Sequence, residues 1–308
     1  MINRELIRLK VVQLVYSLVQ RGIENSQVAE NELQLSMSQA YDLYQHLLLL
    51  FAEVHRVALQ IEEMRVARAA RLKLPQPAEN RILTGGFINQ LVANKQLIDY
   101  RDSQKSNWYD QNEFVRNLYK DIEQSDLYAN YQASGDKSYE ADRNFWRQVY
   151  RKFICNNETL DNLLEDQNLY WNDDRVVIDT FIDKTIGHFK ENEGADMPLL
   201  PDFSNDEDRQ FAFKLLAQTI RQQDKNMQLI ESNARNWEMD RIALMDRVIL
   251  SVALAELISF PDIPVPVTIS VYVEIAKDYS TPKSSKYIHA TLDAIAKQLM
   301  IDKKLIKS

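Results

Sequence analysis

The chain has 308 residues, 45% of them hydrophobic and 27% charged, the balance of an ordinary globular protein large enough for one big domain or two. A single cysteine, Cys155, excludes an intramolecular disulfide and a cysteine-built metal cluster, and no apolar run exceeds Leu47 to Ala52, too short for a membrane-spanning helix. The net charge of −8 argues against a protein that coats nucleic acid over its whole surface.

Six glycines, and no proline between Pro77 and Pro198, point to long helices with few tight turns, and the predicted fold class is all-α. Residues 3–20 read as an amphipathic helix with Leu6, Leu9, Val12, Val15, Tyr16 and Val19 inward, and with Arg4 and Arg8 one turn apart on the other face. A long helix is expected from Ser36 to Leu74, ended by Pro75 and Pro77. Its last turns carry Arg65, Arg68, Arg71 and Lys73, a placement that the helix dipole by itself would favour. Further helices are predicted over 81–102, 110–127, 140–156, 158–168 and 173–190, with loops at 134–136 and 194–204.

From Ile242 to Ile258 almost every position is apolar, and only Asp246, Arg247, Ser251 and Glu256 interrupt. A helix apolar on nearly all sides is a central, buried one, and this one is expected to begin near Asp240. Pro261, Pro264 and Pro266 predict an extended crossing from Phe260 to Pro266. A helix capped by Thr268 then runs to Tyr279, and a last one, capped by Ser284 or Ser285, carries Tyr287, Ile288, Thr291, Leu292, Ile295, Ala296 and Leu299 in one stripe.

A shift of 66 residues lays Asp142, Arg143 and Phe145 on Asp208, Arg209 and Phe211, Trp171 on Trp237, and Asp174 and Arg175 on Asp240 and Arg241. Residues 140–188 therefore read as a degenerate copy of 206–254.

Charge is uneven along the chain. Acids outnumber bases from Asp99 to Arg209, whereas Arg4, Arg8, Lys10 and Arg21 face only Glu5 near the start. At the other end Lys283, Lys286, Lys297, Lys303, Lys304 and Lys307 face Asp293 and Asp302. If the two ends meet, an acidic protein carries a basic face; solvated lysines near a terminus are the plainer reading.

Enzyme chemistry is not legible. There is no Gly-x-Gly-x-x-Gly and no phosphate loop, and the four histidines lack metal spacing. Asp173 and Asp174 read as a helix cap, and the tryptophans read as core. No catalytic residue, metal or cofactor is expected. The opening residues show no apolar core followed by a cleavage site, so a cytoplasmic protein is expected.

Several short strings, in order, resemble the bacterial transcription antitermination factor NusB family: Leu250 to Leu257, Asp262 to Pro264, Val273 to Lys277, Ser285 to Ile288 and Leu292-Asp293, with Arg4 to Arg8 and Val12 to Ser17 resembling its first helix. The resemblance implies a NusB-like helical core from residues 1–20 and 205–300, a helical insertion at 22–204 containing the repeat, and a basic tail at 301–308. It implies a factor that binds boxA-type single-stranded RNA of ribosomal RNA operons together with the small-subunit ribosomal protein NusE, in an antitermination complex on RNA polymerase. By motif match it places RNA on Arg4, Arg8, Lys10, Lys286 and Tyr287, and the protein partner near Tyr16. Core packing is an equal reading for both tyrosines. Because Glu5, Leu6 and Ile7 interrupt the family's arginine run, the alternative is a NusB-fold protein-interaction scaffold with weak or no RNA binding. A NusB-like domain of an RNA methyltransferase would need a cofactor loop and a catalytic cysteine motif, and the chain has neither.

Overall fold

The computed structural model describes residues 1–23, 25–104, 108–171, 173–203, 205–233 and 242–305. All regular elements among them are helical, and the only strand-like pairing among them is an isolated bridge between Ile2 and Phe203. The chain divides into two compact units, Met1–Ser38 together with Asp202–Ser308, and Gln39–Pro201.

Helix α1 (Arg4–Arg21) starts where the Asn3 side chain accepts the Leu6 N–H at 2.9 Å. It stops at Gly22, whose φ of 64° opens the left-handed conformation that lets its N–H and that of Ile23 return to the last turn. Burial here exceeds the one-sided pattern expected. Ile7, Val11 and Leu14 are buried along with Leu6, Leu9, Val12 and Val15, and so are Arg8 and Lys10. Helix α2 (Ser26–Leu72) begins ten residues before the predicted Ser36 because Asn25 caps it, accepting from the N–H groups of Gln27 and Val28, and because Ala29, Leu33 and Met37 extend its buried stripe upstream. The division between the units falls within this helix.

In the unit Gln39–Pro201 the predicted helix over 81–102 is three: α3 (Arg81–Thr84), α4 (Gly86–Val92) and α5 (Lys95–Ser103). Asn80 and Asn94 cap α3 and α5. Gly85 is extended between α3 and α4, and a Cβ there would collide with the Asp142 carboxylate, which instead accepts the N–H groups of Phe87 and Ile88. The expected 110–127 helix is likewise split, into α6 (Asn112–Glu123) and α7 (Asp126–Ala133), because Ser125 caps the second. After α8 (Tyr139–Val149) the chain makes a π-turn over Tyr150–Ile154, followed by α9 (Glu158–Gln167) and α10 (Arg175–His188). His46 on α2 lies in the core between Trp108 and Trp171, with ring centroids 4.3 and 5.0 Å away.

The other unit is completed by α11 (Asp206–Arg221), α12 (Gln223–Asn233), α13 (Leu244–Ser259), α14 (Val265–Tyr279) and α15 (Ser284–Ile301). Helix α13 is the buried axis, touched by α1, α11, α12, α14 and α15. Residue Asp240, the expected start, lies outside the described residues. The residues expected as a narrow polar stripe are largely inside: Asp246, Ser251 and Glu256 are buried, and each buried polar group takes a partner from another helix. Asp246 accepts the hydroxyls of Ser280 and Ser284, the Ser251 carbonyl accepts the Asn226 amide, and Glu256 holds Arg8, Thr268 and Tyr272.

These bonds also correct two expected caps. Thr268 does not cap α14, which starts at Val265 with Pro266 in its first turn, where no backbone donor is needed; its hydroxyl goes to Glu256 instead. Ser284 is the first residue of α15, and its hydroxyl goes to Asp246.

The boundaries of the 66-residue repeat run parallel in part. Residues 139–154 and 158–167 shift onto 205–220 and 224–233, close to α11 and α12. In each half the shared acid holds the first turn of a separate helix, Asp142 that of α4 and Asp208 the Arg4 side chain of α1. Trp237, Asp240 and Arg241 lie outside the described residues, so duplication stands as a proposal.

Candidate nucleic-acid interface

The basic start of α1 is anchored rather than free. Arg4, with its side chain 41% exposed, donates through Nε to Asp208 at 2.9 Å and lies 4.0 Å from Glu207. Arg8 is 4% exposed; its Nε and Nη2 donate to the Glu256 oxygens at 2.6 and 3.0 Å. Both guanidinium groups lie over the Phe211 ring at 5.2 Å. The two arginines thus share a side of α1 as predicted, but that side packs on α11 and α13. Arg8 is removed from the expected RNA face because a bidentate, buried ion pair occupies its donors. Burial by itself would lower the Arg8 pKa, yet the hydrogen bonds and charge of Glu256 hold it above its ordinary value. Lys10 is 2% exposed and also off the surface.

The aromatic and lysine expected to complete the face lie elsewhere. Tyr287 and Lys286 are in the first turn of α15, beside the Asp246 end of α13, whereas Arg8 meets Glu256 near its other end. Ten residues of helix separate the two, about 15 Å of rise. Lys286 is exposed and Tyr287 half-buried. Burial raises the Tyr287 phenol pKa, a hydrogen bond with Thr291 opposes that rise, and the Asp246 charge adds to it.

Tyr16, on the last turns of α1, is half-buried, and its hydroxyl accepts from Gln20 at 2.8 Å. The same turns line a largely apolar cleft of about 260 Å³ bounded by Val15, Val19, Ile23, Met227 and Leu244, with Arg247 at its side. A cleft of this kind suits an apolar protein anchor better than RNA.

Glu256 was the residue sequence reasoning undervalued. A carboxylate in the middle of an apolar helix needs a buried cation, and Arg8, equally isolated among aliphatic residues, was the matching signal. No cluster of His, Cys, Asp and Glu able to hold a metal occurs among the described residues, and none of their helices is long and apolar enough to cross a membrane.

The described residues define an all-α bundle organised around one buried helix. The model of the NusB family matches residues 183–297, beginning within α10. The chain is 38% identical over 99 residues to the transcription antitermination protein NusB of Koribacter versatilis, covering 32% of this chain and 68% of that one. It is 40% identical over 87 residues to that of Salinibacter ruber, covering 28% of this chain and 54% of the relative, and 47% identical over 66 residues to that of Corynebacterium diphtheriae, covering 21% and 36%. The chain belongs to the NusB family. The matched stretch spans only about half of the Salinibacter relative, and no solved structure matches the chain.

Proposed function

We propose that this protein is a transcription antitermination factor that binds boxA-type single-stranded RNA of ribosomal RNA operons together with the ribosomal protein NusE, within the antitermination complex on RNA polymerase in the cytoplasm, without enzymatic activity. The observation that carries this reading is the 40% identity over 87 residues and 38% identity over 99 residues to proteins named transcription antitermination protein NusB. Lys286 and Tyr287 at the start of α15 offer a cation and an aromatic edge for a phosphate and a base. The apolar cleft on the last turns of α1 offers a place for the protein partner.

One observation favours the second reading, a NusB-fold interaction scaffold with weak or no RNA binding: Arg8 is buried on Glu256 and Arg4 is paired with Asp208. Titrating a labelled boxA-type RNA and a scrambled RNA of equal length, each with and without the ribosomal partner, separates the two. Preference for the boxA-type sequence, strengthened by the partner, is expected. Equal weak binding of both RNAs in every combination selects the scaffold.

A further inference from the structure

We propose that RNA phosphates run through a second basic surface, the groove between the end of α11, the face of α12 and the ends of α13 and α15. The groove is about 650 Å³, and its walls carry three cations, Arg221, Lys225 and Lys304, with not one carboxylate among the lining residues. In a chain of net charge −8, with 45 acids against 37 lysines and arginines, such a surface is distinctive.

The helices present it by ordinary periodicity. Gln218 and Arg221 on α11 and its C-cap Gln222 lie at spacings of three and four; on α12, Lys225, Gln228, Leu229 and Ser232 do the same. Asp224 and Glu231 belong to α12 but are not in the lining. The helix dipole accounts for Arg221, at the C-terminal end of α11. It disfavours Lys225, in the first turn of α12. A cation placed against the local dipole, sharing with two others a groove that no carboxylate lines, suits a mobile anion.

The polar wall is held in place. The Gln222 amide donates to Gln218 Oε1 at 2.7 Å and to the Ser259 hydroxyl at 3.0 Å. Lys304 lies 3.6 Å from Asp302, an exposed contact that phosphate can displace. The floor is apolar, with Leu299 buried and Ile258 36% exposed. Cations on the walls, amides between them and an apolar floor match a single strand, whose backbone is charged and whose riboses and bases offer flat apolar faces. This inference rests on the RNA-binding reading above and adds to Lys286 and Tyr287 a further contact on other residues.

The test uses the full chain, a fluorescein-labelled boxA-type 12-mer RNA, and the variant Arg221→Gln/Lys225→Gln. Both side chains are exposed, so the thermal midpoint should be unchanged. Affinity should fall about tenfold near physiological salt, and the slope of log K against log salt should flatten by about 1.4, since each lost phosphate contact on a single strand contributes about 0.7. Lys304→Gln added to the pair should flatten it further. Wild-type affinity and slope in the double variant, with the wild type binding RNA, would overturn the groove and leave the RNA-binding reading intact. Failure of the wild type to bind this RNA, with or without the ribosomal partner, would overturn both and point to an acidic protein as the groove's occupant.

Discussion

Arg8 and Glu256 carry opposite charges in a place where neither could stand alone. Glu256 is fully buried and accepts from Arg8, Thr268 and Tyr272, so removing the arginine strands a desolvated carboxylate. Arg8→Ala is expected to destabilise the protein by about 3–5 kcal/mol, read as a lower denaturant midpoint, and Arg8→Met with Glu256→Leu should recover part of that loss. Arg4→Ala removes only a part-exposed pair and should cost less than about 1 kcal/mol. If Arg8→Ala left stability untouched while weakening RNA binding, the pair would not be structural. Tyr287 supports a different contrast. Loss of a stacked base in Tyr287→Ala should weaken RNA binding by about 1–3 kcal/mol with an unchanged salt slope, whereas a purely core role would appear as a lowered melting temperature with RNA affinity preserved per folded molecule.

Among the elements, α2 holds the most informative titratable group. His46 is buried between Trp108 and Trp171, and burial pushes its pKa from 6.5 down to about 4. The folded value lies below the unfolded one, so as pH falls the unfolded chain takes up the proton first. The stability that the neutral imidazole contributes is therefore complete above pH 6.5 and lost as pH falls from there towards 4. His46→Leu should remove this component, so the difference in unfolding midpoint between wild type and variant should change over that window and be flat above pH 7. A constant difference from pH 7 to 4 would rule out the neutral, buried histidine. Asp183 is governed by the opposite kind of environment: hydrogen bonds from Arg147 and Arg151 outweigh its burial and hold its carboxyl at about 2. Its contribution is present above the ordinary carboxylate range and lost only as pH falls towards 2.

At the scale of the whole molecule, the two compact units make separate predictions. Residues 202–308 lack the helix that supplies Arg8 and the aliphatic face of α1, so expressed alone they should give little cooperative unfolding, and co-expression with residues 1–38 should restore it. Residues 39–201 contain their own core around Phe51, Trp146 and Tyr150 and should unfold cooperatively by themselves. A cooperative transition in 202–308 alone would show that α1 is dispensable to that unit.

Periodicity and composition were enough for the helical class, the buried α13 and the stripe of α15, because a 3.6-residue repeat and an apolar surround act locally along the chain. The proline-rich crossing after Phe260 was legible for the same reason, apart from its end: Pro266 entered α14, since a first turn needs no donor from it. The breaks at Gly85 and Ser125 were missed because a carboxylate 57 residues away, in the first case, and a local cap within an amphipathic pattern, in the second, decide them. The candidate face was only partly legible. Sequence placed Arg4 and Arg8 together on α1, but whether a charged side chain meets solvent or a buried partner depends on a contact 248 residues away. Likewise Arg221 and Lys225, at the junction of α11 and α12, are four residues apart, but nothing along the chain relates them to Lys304, which follows the end of α15. Their common groove exists only once α11, α12 and α15 are packed around α13, because electrostatic fields add through space and not along the sequence.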